Sequence, residues 1–597
     1  MASSDSTLPV IPGTEPDKCA FDAFRIAIAK RISDSLGLPI EQVYTGVDYG
    51  KKGVDFTVAL PRFRLPGKVD ELAKKVISNF QPDEWVESIT HDKAFLHFQL
   101  NSATMVHKVL TQVHNLTHLS PSGKPEYGTS DSGKGKRVVI EYSSPNIAKS
   151  FHVGHLRSTI IGAFLSNLYR ACGWDVVSMN YLGDWGTQFG LIATGFEQYG
   201  SQEELEKDPI KHLFQVYVKV NKEAENDPTV KERAAQFFKR MEDGEEDALK
   251  NWRVWRELSV KKYAEEYERL NVQFDVYTGE SAVGHKSQQD ALERLEKMGL
   301  ITDSEGAKLV NLEKWKLGSA ILRKRDGTSI YLTRDIGGAV ERYEKYKFDK
   351  MIYVVSAQQD LHLQQLFKIM NLLEYPFAPS MEHVNYGLVL GMSTRKGTVV
   401  FLEEIIREAG SVMKEQMMKN EEKASAIENP DETALEIGIS GIKIQDMAAK
   451  RINNYTFNWD RMKSFEGDTG PYLQYAHVRL SSIARKNPNL LPLPSPPSEH
   501  LVTHPHLTSS SHARDIAFLL GSYPDVVRTA LRTNEPSGVV TFAFKLSHAI
   551  SSAWETVVVK GEENEEKAKA RLWLYECARE VLAASMRLLS LRPLDRM

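Results

Sequence analysis

Two histidines three residues apart, His152 and His155 in the run SSPNIAKSFHVGHLRST, stand where a helical pattern begins, just behind a short apolar strand, RVVIEYSS. At that spacing both imidazoles face the same way. A helix start offers unpaired N–H groups and the positive end of the helix dipole, so it attracts anions, and two imidazoles add donors where a phosphate would sit. Gly154 between them lets a flat adenine lie against bare backbone. Zinc binding is the competing chemistry for such a pair, but no third ligand is evident nearby. The position favours a nucleotide, because open parallel sheets bind nucleotides at the carboxyl ends of their strands.

The elements around this pair must form such a sheet. RVVIEYSS (137–144) is followed by a polar loop, then by the helical pattern LRSTIIGAFLSNLYRACG closed by Gly173, then by the strand-like run WDVVSMNYLG. Strand, helix and strand in close succession open a parallel α/β fold. Residues from about 200 to 300 are dense in Glu and Lys at helical spacing and read as an inserted helical subdomain with a solvated charged face. Sheet-like runs return with KLVNL, TSIYLT, KMIYVVS and VNYGLVLG, separated by helical patterns, and stop near Phe401. Beyond it the chain reads as helical, interrupted by the Pro-, Ser- and His-rich stretch 487–512, an exposed loop on this reading.

Ahead of the sheet, residues 1–18 form a Pro-, Ser- and Thr-rich disordered start. Residues 19–120 mix helical patterns (FDAFRIAIAKRISDSLG, VDELAKKVISNF) with alternating runs (VDFTVALPRF, AFLHFQL), the marks of a compact α+β domain, and 121–136 is a Gly-, Ser- and Lys-rich flexible linker. The domains are therefore 19–120, 137–400 and 401–597.

Composition narrows the function classes. At ~150 residues per domain, 597 residues make about four. Lys and Arg number 75 against 79 Asp and Glu, a net charge of −4, which rules out a uniformly basic nucleic-acid coat but leaves local basic patches open. Cys19, Cys172 and Cys577 are too far apart in sequence for a disulfide framework or a cysteine zinc site. No run approaches the ~18 apolar residues of a membrane span and the start has no apolar signal core, so the expected compartment is the cytosol.

Three stretches together, IEYSSPNIAKSFHVGHLRSTIIG, NYLGDWGTQFGLI and DTGPYLQYAHVRLSSI with the closing LRPLDRM, resemble the class I aminoacyl-tRNA synthetases, specifically the arginyl-tRNA synthetases of eukaryotic cytosolic type. The resemblance spans essentially the whole chain. It implies a multidomain α/β protein with a Rossmann-like parallel-sheet catalytic core carrying a helical insertion, an N-terminal α+β domain that contacts tRNA, and an all-helical C-terminal anticodon-binding domain. The implied activity is arginine–tRNA ligation, with ATP and Mg²⁺ but no zinc and with tRNA required for arginine activation; the expected form is a monomer whose partners are tRNA(Arg) and L-arginine, with no membrane.

The family's second nucleotide motif, written KMSKS, corresponds to GMSTRKG (391–397). Met392 and Ser393 match, while Gly391 and Thr394 replace the two lysines and leave Arg395 and Lys396 as cations. On its own GMSTRKG is equally a basic hairpin turn. In many members a lysine just before the histidine motif is thought to offset the leaving pyrophosphate, which here points to Lys149. The resemblance places His152, Gly154, His155, Met392 and Ser393 around ATP.

A guanidinium substrate calls for carboxylates in bidentate reach and polar groups for its α-amino and α-carboxyl ends. Strand ends supply Glu141, Asn146, Tyr331, Asp335 and Gln359, and the resemblance adds Ser144 and His155. Asp335 equally suits the N-terminus of a following helix capped by Thr333, and Tyr331 an ordinary strand position. For tRNA, aromatic rings that stack bases are sought at Tyr472, Tyr475 and Trp554, although aromatics at helical spacing are more often core residues, and the resemblance points to Phe95 and Phe98 in the N-terminal domain, which suit core strand positions just as well, and to Met597 at the end. Two rival readings remain: a nucleotidyltransferase with an HxGH motif, which has no evident use for residues 401–597, and a catalytically inactive RNA-binding or assembly protein, which has no need of both histidines.

Overall fold

The computed structural model describes residues 8–51, 53–149, 151, 153–323, 331–391, 401–419, 427–503 and 505–597. Its centre is a five-stranded parallel sheet in the order Met381–His383, Lys350–Tyr353, Arg137–Glu141, Asp175–Leu182, Val276–Gly279. Arg137–Glu141 is the middle strand, buried from Val138 onward, as expected of a parallel strand covered on both faces. The chain leaves it through the helix Val153–Ala171, called here the motif helix, to Asp175–Leu182 on one side, and later returns to Lys350–Tyr353 on the other. That reversal opens a crevice at the carboxyl end of the middle strand.

The insertion corresponds to helices Gln202–Lys207, Pro209–Asn226, Pro228–Glu242 and Glu246–Arg269. It ends sooner than expected, because Val276–Gly279 is the fifth strand of the core sheet rather than part of the helical subdomain. KLVNL is also placed differently: Ala307–Asn311 belongs to a separate antiparallel sheet with Ile301–Ser304 and Ser319–Arg323. Of TSIYLT, residues 328–330 lie outside the described residues, while Tyr331 begins the helix Tyr331–Tyr346. Leu332, Ile336 and Ala339 are its buried residues at helical spacing, and that period overrides the short alternation of Tyr331.

The N-terminal domain is a four-stranded antiparallel sheet, Val47–Tyr49, Phe56–Ala59, Phe95–Leu100, Val86–Asp92 in spatial order, covered by the helices Ala20–Leu36 and Ser102–His118. In Phe95–Leu100 the period of two puts Leu96, Phe98 and Leu100 inside and leaves Phe95 out. Phe98 is fully buried opposite Phe56 and Ile89, so the expectation that it meets tRNA is corrected: its ring has no free face for a base.

The presumed flexible linker is seated. Tyr127 is buried and donates its hydroxyl to Leu520 O at 2.8 Å, the backbone N–H groups of Ser130 and Gly133 bond Ala171 O and Cys172 O, and a Cβ at Gly128, whose φ is +86°, would lie 2.3 Å from the Tyr523 ring. The stretch 487–512 is likewise packed, with Leu490, Leu501, Val502 and Leu507 buried. The C-terminal region is built of helices, chiefly Leu402–Met418, Pro430–Met447, Gly470–Lys486, Ser511–Thr533, Ser537–Ala553 and Glu565–Leu588, with one short parallel pairing of Val389–Leu390 and Tyr455–Thr456. Helix Ser511–Thr533 docks on the N-terminal domain through Arg514–Asp55 (2.5 Å), Arg528–Asp22 (2.8 Å) and Arg25–Asp525 (2.7 Å), around the Phe21–Phe518 ring pair. Among the described residues no helix is long and apolar enough to cross a membrane.

The two phenylalanines give a direct check. Phe98→Ala should cost ~3–5 kcal/mol and lower the thermal unfolding midpoint of the domain, whereas Phe95→Ala, at 44% exposure, should leave it unchanged. Calorimetry on both variants measures the difference.

Candidate active site

The crevice is shaped by a backbone reversal behind the middle strand. Ser143 and Ser144 both have positive φ, 71° and 49°, a conformation that costs energy for residues with a Cβ and persists only when the surroundings fix it. They do: Ser143 N donates to Ser158 Oγ at 2.9 Å, its hydroxyl is hydrogen-bonded to Thr159 and Tyr267, and Ser144 N donates to Asn180 Oδ1 at 3.2 Å. Asn146 then forms a parallel bridge with Gly183. A Cβ at 183 would stand 2.0 Å from Asn146 Oδ1, so any larger residue there would displace the Asn146 side chain.

From this reversal the chain passes exposed Lys149 and buried Phe151 into the motif helix. His155 packs beside Phe151, ring centroids 5.4 Å apart, and Gly154 O accepts a hydrogen bond from Tyr386 Oη at 3.0 Å. His152 and the second-motif residues Met392, Ser393, Arg395 and Lys396 lie outside the described residues.

Opposite the helix start, carboxylates converge. Glu141, at the end of the middle strand, is buried and paired with Arg342 at 2.5 Å; its other oxygen lies 3.5 Å from Ser144 Oγ. Burial pushes the Glu141 carboxyl upward, Arg342 opposes this, and the charge of Asp335 adds to it. Asp335 Oδ2 lies 2.7 Å from His362 Nε2, and that hydrogen bond raises the imidazole above its ordinary value. Tyr331, on the same helix, is 68% exposed, and Gln359 is exposed on the turn Ala357–Gln359.

Sequence reasoning missed several members of this cluster. Glu280 follows the fifth strand, pairs with Arg334 at 2.9 Å, and is pushed up to about 7 by burial together with the charges of Asp184 and Asp335. Asp184 is fully buried and accepts from Arg256 Nε (2.6 Å), Ser281 N (2.9 Å) and Ser281 Oγ (2.8 Å). Arg342 lies over Tyr181, 4.7 Å from the ring centroid. Asp184 was visible in the run NYLGDWG; Glu280 was hidden because its strand was read as helix. The arrangement suits a cation: each carboxylate is held by a neighbouring base, and a planar guanidinium entering between them exchanges one charged hydrogen bond for another.

The residues sought for tRNA lie elsewhere. Phe95 is exposed and stacked with His97 at 6.3 Å. Tyr475 is 45% exposed, while Tyr472 stacks on His548 and approaches Ser551 Oγ at 3.2 Å. Trp554 is half-buried beneath Arg479, whose guanidinium stands 3.5 Å from the ring centroid, and lines a groove with Tyr575, Lys486 and Lys560. Met597 is partly buried against the cluster of Met413, Ala434 and Ile437. Among the described residues one group, Cys19, Asp22 and Asp525, lies close enough to share an ion. Asp22 is already taken by Arg528, Tyr44 and Glu15 N, and burial pushes the Cys19 thiol up, so the group works as part of the domain contact.

Residues 121–459 match the family model for the catalytic domain of class I tRNA synthetases (R), and residues 473–597 match that of the DALR anticodon binding domain. The chain is 46% identical to the cytoplasmic arginine–tRNA ligase of Saccharomyces cerevisiae, covering 98% of this chain and 97% of that one. The chain belongs to the class I arginyl-tRNA synthetases. The mitochondrial arginine–tRNA ligase of the same yeast is 42% identical, over 96% of this chain and 89% of its own, so both compartments are represented in the family. The fold is that of the Plasmodium falciparum arginyl-tRNA synthetase crystal structure, with a TM-score of 0.78 at 22% identity over 97% of this chain and 99% of that one.

The Asp335–His362 pair can be read out directly. His362 gains its partner on folding, so its stabilisation is present below the unfolded value near 6.5 and is lost as pH rises through the higher folded value. NMR titration should place His362 above 6.5, and Asp335→Asn should bring it down.

Proposed function

We propose that this synthetase activates L-arginine with ATP to arginyl-adenylate and transfers the arginyl group to the 3′ end of tRNA(Arg). The observation that carries the reading is the convergence of Glu141, Asp184, Glu280 and Asp335 on the crevice beside the start of the motif helix. Asp335 and Glu280 hold the guanidinium; Ser144, Asn146 and Gln359 receive the α-amino and α-carboxyl ends; Tyr331 covers the side chain. Glu141 serves chiefly by fixing Arg342.

ATP enters as its Mg²⁺ complex, with adenine against Gly154. The arginine carboxylate attacks the α-phosphorus and pyrophosphate leaves, a step that needs charge stabilisation and alignment rather than a protein nucleophile. His152 and His155 donate to the phosphate oxygens, Lys149 takes the place of a missing motif lysine, and Met392, Ser393, Arg395 and Lys396 complete the nucleotide site. A ribose hydroxyl of the tRNA end then attacks the adenylate carbonyl and releases AMP. Phe95, Tyr472, Tyr475 and Trp554 offer ring faces or edges to RNA, and tRNA is required in the activation step. We place the enzyme with the eukaryotic cytosolic type on the 46% identity, and take its working form to be a monomer.

Arginine-dependent ATP–pyrophosphate exchange, assayed with and without tRNA(Arg), tests the reading. Exchange absent even at saturating tRNA would leave the RNA-binding or assembly alternative. Asp335→Asn loses a charged hydrogen bond worth ~1.5–3 kcal/mol, so the KM for arginine should rise at least tenfold while that for ATP stays fixed. In the wild type the same constant should rise as pH falls below the His362 value, because protonated imidazole competes for Asp335.

Stacking on an aromatic ring is worth ~1–3 kcal/mol per base, so Trp554→Ala should raise the KM for tRNA roughly tenfold and leave arginine and ATP constants unchanged at saturating tRNA. A lowered unfolding midpoint with unaltered tRNA kinetics would assign Trp554 to packing under Arg479 instead.

A further inference from the structure

Behind the motif helix, away from the carboxylates, lies a buried cluster built on Arg157. This residue is 1% exposed, half a turn beyond His155. Its Nη1 donates to Gly387 O at 2.6 Å and to Asn453 O at 2.9 Å, and its Nε lies 3.5 Å from Asp446 Oδ2. The guanidinium lies over the rings of Tyr455 (5.1 Å) and Tyr386 (5.9 Å). Tyr386 returns the connection, its hydroxyl donating to Gly154 O at 3.0 Å. Asp446, on helix Pro430–Met447, is itself 2% exposed. Three stretches of chain, at Tyr386–Gly387, Asp446 and Asn453–Tyr455, are thus tied to the single helical turn that carries Gly154 and His155.

Stability alone gives little reason to place an arginine there. A buried ion pair barely recovers the desolvation of its charges, and apolar side chains of similar volume pack as well or better. Apolar groups, however, fix no register between main-chain carbonyls. One guanidinium nitrogen, Nη1, holds two carbonyls while the planar group lies against two tyrosine rings and Nε faces Asp446, a combination that the point charge of a lysine on its flexible stem does not reproduce. A donor must stand within a fraction of an ångström of the developing charge to be useful, so the register of the helix start is a catalytic quantity.

We propose that Arg157 is a positioning residue for the activation step. It sets, through Gly387, Asp446 and Tyr386, where Gly154 and His155 present themselves to the nucleotide, and it touches no substrate. This rests on the reading of the crevice as the arginine-activating site.

The test uses the full chain: wild type, Arg157→Lys, Tyr386→Phe and the double variant, compared in arginine-dependent ATP–pyrophosphate exchange at saturating tRNA and in thermal unfolding. Arg157→Lys should lower kcat by ~30-fold or more while the KM values for arginine and ATP stay within about twofold. Tyr386→Phe keeps the ring and loses one hydroxyl; it should lower kcat several-fold at a native unfolding midpoint. Because both act through one helical turn, the double variant should be little slower than Arg157→Lys alone. Unchanged kcat per folded molecule in Arg157→Lys would overturn the proposal. If that variant does not fold, Tyr386→Phe decides, and wild-type kcat in it overturns the proposal. A wild type without arginine-dependent exchange would overturn the reading of the crevice, and the proposal with it.

Discussion

The pairing of Glu141 with Arg342 is the interaction on which the crevice depends. A carboxylate at the end of the middle strand is cut off from water, and leaving it unpaired costs several kcal/mol. Arg342 answers from helix Tyr331–Tyr346, between Tyr181 and Tyr353 on the two flanking strands. One salt bridge therefore fixes the helix against three strands of the sheet. Asp335 lies seven residues before Arg342, two turns back on the same helix face, so anchoring Arg342 also determines where Asp335 stands. The carboxylate proposed to face the substrate is positioned by a pair that need not meet substrate at all.

The same reasoning explains why so many acidic groups coexist in the crevice. Carboxylates this close raise one another, as Asp184 and Asp335 do to Glu280 and Asp335 does to Glu141, and the strain is relieved by placing a base beside each. Arg256, Arg334 and Arg342 are fixed in that duty. The base facing Asp335 is a histidine, His362, which unlike arginine releases its proton in the physiological range. Of the four carboxylates, Asp335 is the one whose partner can be dismissed at modest cost.

Much of this was legible in the sequence for a physical reason. RVVIE and KMIYVVS are apolar runs with nothing else to be than buried parallel strands, and the turn between the first strand and the motif helix carries residue types suited to a nucleotide. The Val276–Gly279 strand was not legible, because four residues bounded by charged helices leave no period to detect. With it went Glu280, whose role depends on following that strand. Phe98 shows the converse: its type suggested stacking, and only the register that sets it opposite Phe56 placed it in the core. Long-range pairs such as Arg157 with Gly387, or Arg514 with Asp55, join residues hundreds of positions apart and leave no mark on local spacing.

Those long-range pairs also tie distant parts of the chain to one helix. Lys443, buried on helix Pro430–Met447 and pushed down to about 7 by desolvation, donates to Leu270 O at the end of the insertion and to Ser590 O beyond the last helix. Three residues along the same helix stands Asp446, which faces Arg157. One helix thus reaches the insertion and the C-terminal turn through the hydrogen bonds of Lys443, and the back of the motif helix through the ion pair of Asp446 with Arg157 at 3.5 Å. The Lys443 contacts have no intermediate setting, since a buried donor either meets its acceptor or carries the full cost of missing it. Helix Pro430–Met447 therefore ties the position of the insertion and of the C-terminal turn to that of the motif helix, and Arg157 stands where the tie is made.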